Sequence, residues 1–279
     1  MIVDAHVHLL PGRLAEKVRA FFATHLERAN TDHAAPFVYP IDHATVLESL
    51  AADGVDRVWS FSYAHKPGIA VGLNEASATT AAMFAAGPVE VVGGATVHPG
   101  DDDPAAIVVD AIDRLGLRVL KLHCSVGAFD VDDARLDPVF AVSAERQLPV
   151  VVHLGRDVSG HTEPGELGAL DRVATAHPEA PIVLAHCGHH ATREALAVLD
   201  ANPALHADLT PVGRSPVDVT AADIESRRDR FLFGSDAPNT PYTVGEGLAR
   251  VRALGLDAAT EAAVLGGNAE RLAAGVLTA

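Results

Sequence analysis

A chain of 279 residues that is 48% hydrophobic can bury a large core and is long enough for one α/β barrel. Its 37 acidic against 21 basic residues leave a formal charge of -16, which opposes the phosphate neutralisation that nucleic-acid binding requires and argues against such a partner. No stretch approaches the roughly 20 apolar residues that cross a bilayer, and the N-terminus lacks the pattern of a signal peptide, so the expectation is a cytoplasmic protein with no membrane partner.

Short β-branched runs alternate with longer Ala/Leu-rich amphipathic segments, the signature of repeated βα units around a parallel sheet. The strands are expected at 2–8, 55–62, 89–97, 117–123, 149–153, 181–186, 204–209 and 230–235. Helices are expected near 13–29, 43–53, 72–86, 103–115, 132–147, 165–177, 189–201, 218–229 and 243–254, with further helix from 257 to 274. Asp102-Asp103-Pro104 and Asp218 suit helix starts, and Gly54 and Gly116 suit helix ends. With no linker or low-complexity tract in the series, residues 1–279 read as one (β/α)8 domain. The segment 10–45 is too long for an ordinary connection and is expected to form a lid.

A barrel of this kind places its chemistry at the C-terminal ends of its strands. The first strand, Ile2-Val3-Asp4-Ala5-His6-Val7-His8, puts His6 and His8 on one face, where they could grip one metal ion, with Asp4 on the same face but deeper. Later strand ends carry His98, Lys121 with His123, His153, His186, and Phe233-Gly234-Ser235-Asp236. Barrel closure would bring His6, His8, His153, His186 and Asp236 to one point.

The motifs Asp4-Ala5-His6-Val7-His8, Lys121-Leu122-His123, His153-Leu154-Gly155, His186-Cys187-Gly188, Phe233-Gly234-Ser235-Asp236-Ala237-Pro238 and Gly267-Asn268-Ala269-Glu270-Arg271-Leu272 span the chain. With them it resembles the amidohydrolase superfamily, in the group that includes lactonases and aminocarboxymuconate-semialdehyde-type decarboxylases. The resemblance implies that His6, His8, His153 and Asp236 hold one divalent metal, an N3O set suited to Zn²⁺, with Mn²⁺ or Fe²⁺ as alternatives. It implies Asp236 as proton acceptor and His186 as general acid/base. Lys121 would meet a substrate carboxylate; the alternative is a carboxylated Lys121 bridging two metals, the second held by His153 and His186.

Arg156 and Arg214, on loops after strands five and seven, are further candidates for a carboxylate. His123 is read as a support for the site or as a buried residue, and His161, His189 and His190 as loop or helix-start residues. Cys124 and Cys187 are expected to face the helices as small, unreactive hydrophobes. The function expected is metal-dependent hydrolysis of an amide or lactone in a small, carboxylate-bearing substrate, with nonoxidative decarboxylation of an unsaturated or aromatic acid as the alternative. The exposed helical ring leaves room for a homodimer.

Overall fold

The computed structural model describes residues 1–29, 37–155 and 162–278. Eight parallel strands follow one another around a single sheet in sequence order. They are β1 (Val3–Val7), β2 (Arg57–Phe61), β3 (Glu90–Thr96), β4 (Val119–His123), β5 (Val150–His153), β6 (Ile182–Leu184), β7 (Leu205–Asp208) and β8 (Phe231–Leu232). Closure comes at the seam between β1 and the residues around β8, where Ala5 N donates to Phe233 O, Asp236 N to His6 O and His8 N to Ala237 O. The molecule is a TIM barrel, as the alternating pattern predicts.

Helices fill the crossovers: α1 (Gly12–Ala29), α2 (His43–Ala52), α3 (Ala70–Met83), α4 (Pro104–Asp113), the single turn α5 (Cys124–Gly127), α6 (Asp137–Arg146), α7 (Pro164–Ala176) and α8 (Thr192–Ala201). After β7 come α9 (Ala221–Glu225), α10 (Val244–Ala253), α11 (Ala258–Ala262) and α12 (Asn268–Ala274). Asp103 caps α4 through Ala106 N, with Pro104 in its first turn. The expected helix at 218–229 is the shorter α9, and it starts later because Thr220 rather than Asp218 is its cap: Thr220 and Asp223 form a reciprocal capping box. Gly54 and Gly116 follow helices with positive φ, as expected.

The core has two layers. Outer-facing strand residues such as Val58, Leu120, Leu122, Val150, Val152 and Ile182 pack under the helices. Each such buried side chain contributes roughly 1.5–3 kcal/mol. Inside the barrel, Val3, Ala5, Trp59, Phe61, Val119 and Val151 pack together, with Ala269 and Leu272 of α12 against them. Both cysteines belong to the outer layer, and burial pushes each thiol up to about 12, which keeps them unreactive. Among the described residues no helix is long and apolar enough to cross a membrane.

Strand β1 departs from simple alternation. Asp4 pairs with Val58 and Val7 with Ser60, so β1 spends one residue more than β2 over the same step. That is a bulge, and it changes the phase of the strand.

Candidate functional site

The bulge decides what β1 presents. Val3 and Ala5 lie inside the barrel with Trp59 and Phe61, yet Val7 packs outside with Val58. His6 and His8 therefore reach the interior at the barrel mouth, while Asp4, between two inward residues, faces the other way. The expectation that Asp4 shares their face is corrected. Its carboxylate accepts from Ser235 N at 3.0 Å, Ser235 Oγ at 2.5 Å and His6 N at 3.2 Å, bolting β1 to the chain after β8. Burial raises Asp4 to about 7 against these hydrogen bonds.

The two histidines have their tautomers set from behind. His6 Nδ1 lies 2.9 Å from Asp208 Oδ2, and His8 Nδ1 lies 3.0 Å from the Phe61 carbonyl oxygen. Both partners only accept, so the network assigns each proton to Nδ1 and leaves Nε2 of each ring as a lone pair. His8 Nε2 is 3.1 Å from Asp236 Oδ1, and His6 Nε2 is 3.9 Å from the same oxygen. Two lone pairs facing a carboxylate oxygen repel unless a cation or proton stands between them. One ligand atom from each of His6, His8 and Asp236 falls within 4.8 Å of the others. These three residues fit a divalent metal by spacing, donor type and tautomer.

The electrostatics hold the set in its ligand form. Burial and the Lys121 cation bring His6 down to about 3, in spite of Asp208, so its ring is neutral at pH 7. Burial raises Asp236, but the contact with His8, bridged by a proton where the ion would stand, and the neighbouring His6 and His186 outweigh it and keep the carboxyl below its ordinary value.

His153 and His186 form a second pair. His186 Nδ1 is 3.1 Å from Thr210 O, which assigns the proton there, and His186 Nε2 is 3.1 Å from His153 Nδ1. The proton between the rings therefore belongs to His153 Nδ1, and His153 Nε2 is left as a lone pair. Across its face His153 stacks on His123, ring centroids 4.0 Å apart. Burial, before any charge, lowers all three imidazoles below their ordinary value. His186 has positive φ, 56°, as does Asp236, 64°, so both sit on tight turns that aim the side chain from a strand end.

Asp208, at the end of β7, is the organising residue that sequence reasoning passed over. It is fully buried and accepts from His6 Nδ1, from His186 N at 2.9 Å and from Thr210 N at 3.1 Å. Burial raises it, but His6, its hydrogen bond, and His186 outweigh that and hold the carboxylate well below the usual range. The signal was available: an acid closing the apolar run Leu205-His206-Ala207-Asp208, just as Asp236 closes the last strand.

The candidate cations divide. Lys121 is fully buried, its Nζ 3.3 Å from His6 Nε2 and 4.9 Å from the Phe61 ring centroid, and burial takes it down to about 8 although Asp208 and Asp236 oppose this. Arg214 donates to Pro241 O at 3.2 Å. Arg156 and His161 lie outside the described residues. A cavity of about 1040 Å³ opens over the site, lined at its floor by Tyr63, His123, His153, His186 and Asp236 and at its sides by residues of α1.

The amidohydrolase family model matches residues 3–272. The chain belongs to the amidohydrolase family. Its structural neighbours agree on the barrel. An uncharacterized TIM-barrel protein from Bordetella bronchiseptica superposes with a TM-score of 0.73 at 21% identity, covering 98% of each chain. The 5-carboxyvanillate decarboxylase from Sphingomonas paucimobilis gives 0.66 at 17% identity over 99% of each chain. An amidohydrolase from Burkholderia multivorans with bound zinc gives 0.62 at 18% identity, covering 98% of this chain and 99% of that one. No curated protein matches the sequence. At these identities the neighbours show the fold of this amidohydrolase, while its chemistry has to be argued from the site.

Proposed function

We propose that this amidohydrolase is a metal-dependent hydrolase that opens an amide or lactone carbonyl in a carboxylate-bearing substrate. The observation that carries the reading is His8 Nε2, a lone pair, facing the ionised Asp236 Oδ1 at 3.1 Å. His6, His8 and Asp236 would hold the ion, with His153 Nε2 completing an N3O set, and Zn²⁺ is the first candidate with Mn²⁺ and Fe²⁺ behind it. When bound, such an ion brings the pKa of a water ligand to about 7 and polarises a carbonyl.

The protein's own groups do the rest. Asp236 takes the proton from the attacking water at a carboxylate oxygen. His186, oriented by Thr210 O and with its Nε2 lone pair freed when a substrate atom displaces His153, accepts that proton from Asp236 and passes it to the leaving group. Lys121, buried beside His6, supplies positive charge against developing negative charge on the substrate.

A neighbour that is a 5-carboxyvanillate decarboxylase supports a second reading, carboxy-lyase chemistry on an unsaturated or aromatic acid. Product analysis over lactones, amides and aromatic acids separates the two. Ring opening or amide cleavage with no CO2 supports hydrolysis, and CO2 release with no hydrolysis replaces it. Full activity in His6→Ala/His8→Ala protein free of metal would sink both.

A further inference from the structure

Resting on the reading of this cavity as the substrate site, we infer that the substrate is an amphipathic anion: an apolar body of roughly eight carbons or more between the reacting carbonyl and an anionic group at the cavity mouth. The volume is the first argument. At about 1040 Å³ the cavity stands at the upper end of ligand sites, which run about 300–1,000 Å³, and is far larger than a small lactone requires.

The walls are the second argument. Leu14, Val18, Phe21 and Phe22 repeat along one face of α1 at three- and four-residue spacing and line the cavity. Ile69 and Leu73 line it from the start of α3. Phe21 is 38% exposed, an apolar surface that water covers until something apolar replaces it.

The third argument is charge. Arg13 and Lys17, one turn apart on α1, and Lys66 after β2 are exposed residues lining the same cavity. None of the three has an ion pair or hydrogen bond among the described residues, although most other arginines are engaged by carboxylates or carbonyls. Among the described residues that line the cavity, Asp236, already committed to the metal set, is the single acid, in a chain where acids outnumber bases 37 to 21. A cationic rim on an anionic protein focuses an anion at the mouth. Depth orders the three zones, since the histidines of the floor are buried or half-buried and the rim cations are exposed. Arg214, a further candidate for the carboxylate, donates one N–H to Pro241 O and is not among the described residues lining the cavity, so the rim cations are those that face the mouth.

The test is calorimetric titration of the zinc-loaded protein with acetate, octanoate, octanamide and octylammonium, in the wild type and in Lys17→Glu/Lys66→Glu. Both lysines are exposed, so the variant keeps its fold. Octanoate should bind more tightly than octanamide and octylammonium, and affinity should rise about three- to fourfold per methylene from acetate upward. The variant should lose about tenfold for octanoate, change little for octanamide and prefer octylammonium over octanoate. Octanoate affinity equal in both proteins, or acetate binding as tightly as octanoate, overturns the inference. Turnover separates it from the hydrolase reading. If neither lactones nor amides react but the charge preference inverts in the variant, the substrate class stands and the reaction falls. If small lactones are opened while chain and charge make no difference, the reaction stands and the substrate class falls.

Discussion

The carboxylate of Asp208 accepts from His6 Nδ1 at 2.9 Å, and this one hydrogen bond between the ends of β7 and β1 decides which nitrogen of His6 the cavity meets. Asp208→Asn keeps the shape but places an amide where three donors converge, so one donor is left unmatched. Zinc affinity, measured by competition with a chromophoric chelator, should fall about 10- to 100-fold. The melting transition should shift by the equivalent of about 1–3 kcal/mol. Unchanged zinc affinity would show that Asp208 serves packing alone.

The two imidazoles joined at 3.1 Å, His153 and His186, are expected to separate under substitution. His153→Ala should release metal, detected as substoichiometric zinc after dialysis. His186→Ala should retain one zinc and lose about 10²- to 10⁴-fold in kcat, the range for a general acid or base. Metal loss in the second variant and retention in the first would exchange their roles.

Gly234 sits where the barrel seam is tightest. A Cβ there would lie 2.1 Å from Thr210 Oγ1 and 2.7 Å from His6 Cβ, both on fully buried residues. Gly234→Ala should cost about 1–3 kcal/mol in a denaturant titration, with zinc affinity falling alongside. Gly165→Ala in α7, where a Cβ meets nothing within 4 Å, is the control and should leave both readings unchanged. Equal behaviour of the two variants would refute the steric account.

His206 offers a pH dependence remote from the site. It is buried on β7 with Nδ1 2.9 Å from Ala204 O; burial first, then the Arg230 cation, brings it down to about 4 from 6.5. A folded-state value below the unfolded one means that its contribution is complete above pH 6.5 and drains as pH falls toward 4, because the unfolded chain takes up the proton first. The contribution is on the order of 3 kcal/mol. Other buried histidines add slope of the same sign, so the comparison is with His206→Gln, whose unfolding free energy should fall less steeply between pH 6.5 and 4. Parallel curves would contradict the shift.

Much of the fold could be read from residues. Strands β4 to β6 are apolar apart from Lys121, and each leads to a histidine at its end or two residues beyond, so type, position and polarity coincide. Asp4 was misplaced because alternation assumes an unbroken pleat, and the bulge after it depends on pairing with β2, which local sequence does not encode. Asp208 ends its strand outside the motifs that mark the other site residues, and only barrel closure sets it behind His6. The cationic rim was hidden for another reason: Arg13, Lys17 and Lys66 belong to no motif, and only the docking of α1 and of the loop after β2 at the mouth brings them together.

The seam that closes the barrel runs through the site itself. Asp236 N donates to His6 O at 2.8 Å and His8 N to Ala237 O at 2.7 Å, so the residues offering metal ligands also supply the last ladder of the sheet. Nearly the whole chain separates those partners. During synthesis the outer edge of the first strand must wait, unpaired, until the eighth arrives. An ion gripped by both ends would then act as a clasp, and its loading would mark the moment at which the polypeptide becomes a ring.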